Sequence, residues 1–107
     1  MKMEDISLLC QANLLAITKH WSSVGMEDLD YIRTVRVLIE CMQPFLIESD
    51  SANDTDKTLV QLKDYARSLY VEHCVKSNPR PAKRDDYEDE CREIFNHLFE
   101  YDEYPDA

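Results

Sequence analysis

Residues able to do chemistry are concentrated near the C-terminus, where acidic side chains recur at helical spacing. They are Asp86, Asp89, Glu93, Glu100 and Glu103. At a pitch of about 5.4 Å per helical turn they fall near one another on successive turns, with Asn96 in the middle of the row. A row of carboxylates at this spacing can imitate a row of phosphates and so bind a basic surface. The alternative interpretation is a solvated acidic face that keeps a small protein in solution.

Charge is distributed unevenly along the chain. The 107 residues include 22 Asp and Glu against 12 Lys and Arg, a formal net charge of -10. Residues 85–107 hold ten carboxylates and one basic side chain, Arg92, whereas residues 76–84 hold four basic side chains and no acid. This balance argues against direct binding to nucleic acid or to an anionic membrane, because both are negatively charged. The expected partner is a basic protein surface, such as that of a nuclease or another nucleic-acid-binding protein.

Two tyrosines accompany the acidic row and are candidate contacts to the same partner. Tyr101 and Tyr104 lie beyond the apolar stripe expected of the last helix. Tyrosine provides contact area and a hydroxyl group, while carboxylates steer association. The predicted partner-binding residues are therefore Asp86, Asp89, Glu93, Glu100, Tyr101, Glu103 and Tyr104. The open alternative for the two tyrosines is that they belong to a frayed chain end.

Catalytic and metal-binding patterns are missing from the sequence. Its single glycine leaves no Gly-rich phosphate loop and no nucleophile elbow. Metal sites in helical bundles use Glu-x-x-His pairs on facing helices, whereas Glu93 and His97 are four residues apart and have no second pair. The sequence therefore predicts a protein that is not an enzyme, with no catalytic residues, no metal and no cofactor.

The cysteines and the hydropathy pattern indicate a cytoplasmic protein. Cys10, Cys41, Cys74 and Cys91 are 31, 33 and 17 residues apart, without the close pairs of zinc or redox motifs. Free thiols on apolar helix faces, in a reducing compartment, are the expected state. Neither a signal-peptide pattern nor an apolar stretch of the roughly 20 residues that span a bilayer is found.

Four segments show the apolar spacing of amphipathic helices. They run from about Met3 to Ser22, from about Glu27 to Glu48, from Asn53 or Asp54 to about Lys76, and from Asp85 to about Tyr101. The first has the widest apolar stripe, with Leu9 in it, and is expected to be the most enclosed. Gly25 is expected to cap it. Pro44 is expected to kink the second helix or to stop it near residues 41–43.

The predicted fold is all-α, a compact four-helix bundle or a related orthogonal helical fold with a short acidic C-terminal tail. Residues 1–101 are predicted to form a single helical domain, and residues 102–107 an acidic tail that frays. A monomer and a homodimer are both compatible with the sequence.

A small, acidic, helical chain without catalytic motifs is typical of proteins that act by stoichiometric binding. The first hypothesis is a phage- or plasmid-encoded inhibitor that blocks the basic nucleic-acid-binding surface of a host defence nuclease complex by nucleic-acid mimicry, as anti-CRISPR and anti-restriction proteins do. The second is an immunity protein or antitoxin that masks a basic nuclease toxin. The third is a helical adaptor or dimerisation module. Salt-sensitive binding favours the first two, because salt screens exposed charges beyond about 8 Å at about 0.15 M.

Overall fold

Four helices follow one another in the computed structural model, which describes residues 3–47, 55–77 and 84–105. They are α1 (Met3–Val24), α2 (Asp28–Ile47), α3 (Thr55–Ser77) and α4 (Arg84–Tyr101). The helices contact one another as in a bundle, so the prediction of an all-α, four-helix fold is confirmed. Apart from the early stop considered for the second helix, each predicted helix boundary lies within two residues of the observed one. In the described ranges, none of the helices is long and apolar enough to cross a bilayer.

The turn between α1 and α2 depends on the only glycine of the chain. Gly25 has a φ of 70°, in the left-handed region that side chains with a Cβ rarely adopt. The N–H groups of Gly25 and Met26 both donate to the carbonyl oxygen of Trp21, at 3.1 and 3.3 Å. These bonds satisfy a carbonyl that the end of α1 would otherwise leave free, so the predicted C-cap is confirmed.

Pro44 does not end the second helix. The helix continues through it to Ile47, so the expected stop near residues 41–43 is wrong. Proline removes one N–H donor and crowds the carbonyl four residues earlier, which is costly in a helix interior. Here Pro44 is exposed and only one turn from the end of α2, where few further helical bonds depend on it.

Stacked aromatic rings join three helices at the centre of the bundle. The ring of Trp21 on α1 lies 4.2 Å from that of Tyr31 on α2 and 5.4 Å from that of Tyr70 on α3, measured between centroids. Phe95 brings α4 into the same cluster, with its ring 5.7 Å from that of Tyr70. All four side chains are buried, so the aromatic cluster joins the four helices within the core.

The far side of α1 is open, although the sequence predicts this helix to be the most enclosed. Leu8 is 62% exposed and Leu9 is 54% exposed, so the assignment of Leu9 to the buried stripe is wrong. The physical reason is the position of the helix: α1 contacts α2 and α3 but, among the described residues, not α4. With neighbours on one side only, a helix can bury one half of its circumference.

Candidate functional site

The fourth helix separates an apolar side from an acidic side. Cys91, Phe95 and Leu98 point into the core and are almost completely buried. The acidic face consists of four exposed residues, Asp86, Asp89, Glu93 and Glu100. At 3.6 residues per turn these four fall within about 60° of the helix circumference, on the side away from the core. The prediction that these four carboxylates share one exposed face is confirmed, whereas Glu103, predicted in the same helical row, is wrongly placed because α4 ends at Tyr101.

The length of the acidic face can be compared with a nucleic-acid strand. From Asp86 to Glu100 the helix rises about 21 Å, so four carboxylates lie on average about 7 Å apart. One strand of B-DNA carries a phosphate about every 3.4 Å along the helix axis. The acidic face thus offers about one negative charge for every second phosphate of a single strand.

Part of this charge is neutralised by the helix itself. Arg92 Nη1 lies 2.7 Å from Asp89 Oδ1, and Arg92 Nη2 lies 3.5 Å from Glu88 Oε2. No cationic side chain of the described residues lies within 4.0 Å of the carboxylates of Asp86, Glu93 or Glu100. These three residues therefore carry the uncompensated charge of the acidic face, and Asp89 contributes less than its position in the sequence suggests.

The middle of the acidic row is occupied by a contact that sequence reasoning missed. Asn96 Oδ1 accepts a hydrogen bond of 3.1 Å from Arg67 Nη1 on α3, and Arg67 Nη2 lies 2.7 Å from Asp64 Oδ1. Asn96 thus holds α4 against α3 and brings a guanidinium group beside the row. The acidic face is therefore divided into a longer part around Asp86 and Glu93 and a separate carboxylate at Glu100.

After α4 the chain end contacts α2 through Asp102 and Tyr104, in a segment where the sequence predicts fraying. Asp102 has a φ of 58°, and its N–H donates to Leu98 O at 3.1 Å, which closes the helix. Its Oδ1 lies 2.7 Å from Arg33 Nε and 3.4 Å from Arg36 Nη2. Arg33 donates to this carboxylate and so holds the pKa of Asp102 below its ordinary value. Asp is one of the few side chains that tolerate this backbone conformation, and that is a signal the sequence did contain.

The three remaining predicted contacts lie around this chain end. Tyr104 is half-exposed, and its hydroxyl accepts a hydrogen bond of 3.3 Å from the N–H of Leu29 in the first turn of α2. Such an N–H has no partner within its own helix, so Tyr104 acts as a cap. Tyr101 is exposed with its ring 4.8 Å from that of His97, and Glu103 is exposed. Only part of Tyr104 is therefore available to a partner.

An open groove borders the acidic face on the side of Tyr101. It has a volume of about 320 Å³ and is lined by Glu90, Glu93, Ile94, His97 and Pro105. Glu93 belongs both to this groove and to the acidic face. A partner side chain that pairs with Glu93 would therefore also contact apolar surface, which is the mixed composition typical of protein interfaces.

The described residues form no metal site, and the cysteines differ in exposure. In the part of the chain that the structure describes, no three His, Cys, Asp or Glu side chains converge so as to hold a metal ion. Cys10 and Cys91 are buried, whereas Cys41 is exposed, against the expectation of an apolar environment for every cysteine.

Comparison with protein-family models, with curated proteins and with solved structures finds no match to this chain.

Proposed function

We propose that this protein is a stoichiometric inhibitor that occupies the basic nucleic-acid-binding surface of another protein. The observation that carries the proposal is the exposed, uncompensated row Asp86, Glu93 and Glu100 on a helix anchored to the core. The target class that fits is a host defence nuclease complex, which would place the inhibitor in the cytoplasm and its gene on a phage or plasmid. The mechanism is exclusion of the nucleic-acid substrate, with no chemistry by the inhibitor.

The rigidity of α4 supports this mechanism. The apolar side of the helix is buried through Phe95 and Leu98, its middle is tied to α3 through Asn96, and its end is tied to α2 through Asp102. The backbone positions of the acidic residues are therefore fixed before the partner arrives. Less conformational freedom is lost on binding when the contacting groups are already in place.

Electrostatic repulsion along the row also favours a basic partner. Asp89 lies three residues from Asp86 and four from Glu93, and like charges at these spacings destabilise an isolated helix by about 0.2–0.5 kcal/mol per pair, which Arg92 relieves only in part. Cations of a partner placed between these carboxylates remove that repulsion when the complex forms. Association is then expected to be fast and to weaken as salt is added.

The test compares two charge-reversed variants of equal net charge. Glu93→Lys with Glu100→Lys changes the acidic face, whereas Glu27→Lys with Asp56→Lys changes exposed acidic residues that also have no ion pair within the described residues. Each protein is immobilised and used to capture partners from a lysate of the native host, and the retained proteins are identified by mass spectrometry. Circular dichroism confirms that both variants remain helical.

The expected result is loss of the partner from the acidic-face variant alone. A hydrogen bond to a charged group contributes about 1.5–3 kcal/mol, so two lost contacts correspond to at least about 100-fold in affinity. The wild type, but not the acidic-face variant, should displace labelled DNA or RNA from the captured protein. Equal losses in both variants would reduce the acidic face to a solubility device, and a captured partner without a nucleic-acid-binding surface would refute the proposed mechanism. A captured toxin nuclease would instead identify an immunity protein.

A further inference from the structure

An exposed apolar surface runs along the first helix, on the side opposite the core. Its members, named here the α1 face, are Leu8, Leu9, Ala12, Leu15 and Ala16, and all of them are exposed. The buried residues of the same helix, Cys10, Leu14 and Trp21, lie on the other side. Contiguous apolar surface of this kind on a small protein marks an interaction site.

The apolar positions of the α1 face are symmetric about Ala12. Ala12 is at the centre, and the other apolar members lie three or four residues away from it on either side. If a second α1 is placed antiparallel with Ala12 beside Ala12, Leu8 comes opposite Ala16 of the second copy and Leu9 opposite Leu15. Leucine then packs against alanine at the outer positions, and the small central residues let the two helices approach closely.

Charged residues at both ends of the α1 face fit the same arrangement. Asp5 lies seven residues before Ala12 and Lys19 lies seven residues after it, and both are exposed. Neither is ion-paired within the described residues. Antiparallel pairing puts Asp5 of each copy beside Lys19 of the other, whereas parallel pairing would put like charges together.

From this self-complementary pattern we infer that the α1 face is the interface of a homodimer, in which two copies of α1 pack antiparallel about Ala12. The large negative charge of the protein does not oppose this pairing. Residues 85–107 hold ten of the 22 acidic side chains, and α4 does not contact α1 among the described residues. Repulsion between the acidic C-terminal regions of the two copies is therefore weak at the α1 face, because exposed charges are screened beyond about 8 Å at physiological salt.

The dimer leaves the acidic face of each copy free, so it does not depend on the proposed inhibitor function. One helix face from each copy makes an interface at the small end of the range, below about 1,200 Å² in total. Association is therefore expected in the micromolar range and in rapid exchange. A dimer with two acidic faces would bind an array of basic sites more tightly than one copy, because the second contact is intramolecular.

Sedimentation equilibrium of the full-length protein, from about 1 μM to about 1 mM, tests the dimer. The disruptive variant is Leu9→Glu, and the matched controls are Val37→Glu on α2 and Val60→Glu on α3, whose side chains are 55% and 57% exposed. The wild type and both controls should dimerise, whereas Leu9→Glu should weaken dimerisation at least tenfold. A wild type that stays monomeric throughout, or a dimer that Leu9→Glu leaves intact, overturns the inference.

A charge exchange tests the antiparallel arrangement itself. Asp5→Lys alone and Lys19→Asp alone place like charges together and should each weaken the dimer several-fold. The double variant restores opposite charges at both ends and should recover most of the lost affinity. If the double variant loses as much dimer affinity as the two single variants lose together, antiparallel pairing is contradicted. Glu93→Lys with Glu100→Lys should leave the dimer unchanged, which separates this inference from the proposed function.

Discussion

A buried hydrogen bond between α1 and α2 allows a quantitative test of the core. Thr18 Oγ1 donates to Leu14 O at 2.8 Å and also lies 2.7 Å from the hydroxyl oxygen of Tyr31. A threonine hydroxyl has a single hydrogen, which the bond to Leu14 uses. Tyr31 must therefore be the donor to Thr18. Both side chains are buried, so neither group can exchange its partner for water.

The two single substitutions and their combination are expected to differ in a definite way. Tyr31→Phe removes the donor and should cost about 1–2 kcal/mol, since a net hydrogen bond contributes about 0.5–1.5 kcal/mol and an acceptor is left without its partner. Thr18→Val keeps the shape but leaves the Tyr31 hydroxyl buried and unpaired, which should cost about 1–3 kcal/mol. The double variant has no unpaired group at this point and should lie within about 1 kcal/mol of the wild type.

Urea unfolding measures all four proteins. Circular dichroism follows the helices, and the single tryptophan reports on the same site, because the ring of Trp21 is stacked 4.2 Å from that of Tyr31. With a slope of about 1–3 kcal/mol per M urea, a loss of 1.5 kcal/mol lowers the midpoint by about 0.5–1.5 M. The slope itself should not change.

The decisive quantity is the coupling between the two substitutions. A pair in contact is expected to show a coupling of about 1–3 kcal/mol, with the double variant more stable than the sum of the single losses predicts. Additive losses would show that the hydroxyl groups do not interact, and the account of this part of the core would be refuted.

Three further predictions follow from the core and the chain end. Burial raises the pKa of Tyr31 from 10.0 to about 12 and that of Cys74 from 9.0 to about 12. Their contribution to the free energy of unfolding is therefore complete below pH 9 and is lost as the pH rises to about 12, which thermal unfolding between pH 8 and 12 should show as a falling melting temperature. Leu14→Ala should cost about 2–5 kcal/mol and Leu69→Ala, at a half-buried position, about 1–2 kcal/mol in urea unfolding; equal costs would contradict the observed burial. Asp102→Asn should lower the melting temperature at pH 7, and its difference from the wild type should shrink as the pH falls below 3.8, because the pKa of Asp102 is lowered in the folded state; a constant difference would show that the charge is not what matters.

Features that depend on local spacing could be predicted from the sequence. Helix boundaries follow from apolar periodicity and breaking residues, and Gly25 follows from the backbone that a helix end requires. The exposure of Leu9 could not be predicted in this way, because a broad apolar stripe does not say how many neighbours a helix has. The continuation of α2 through Pro44 depends on how near the end of the helix the proline lies, which the pattern alone left open.

In the candidate site too, some features could be predicted from local spacing and others could not. The shared exposed face of Asp86, Glu93 and Glu100 follows from their spacing along one helix. The contact of Asn96 with Arg67 and the pairing of Asp102 with α2 join residues 29 and 69 positions apart, at distances that only the folded chain sets. Local periodicity carries no information about such pairs. Sequence reasoning therefore identified the charged row but neither its interruption nor the anchor at its end.

Each helix of the bundle contacts the helix that follows it in the chain, and the only other contacts, among the described residues, skip a single helix. Within the described part of the chain, formation of these contacts does not require α1 to meet α4. Proteins dominated by contacts between near neighbours in sequence fold in microseconds to milliseconds, because little loop entropy is lost before the contacts form. For a protein proposed to act by occupying its target one to one, each unfolded copy is a target left active. Rapid folding would make newly synthesised molecules competent to bind almost as soon as they leave the ribosome.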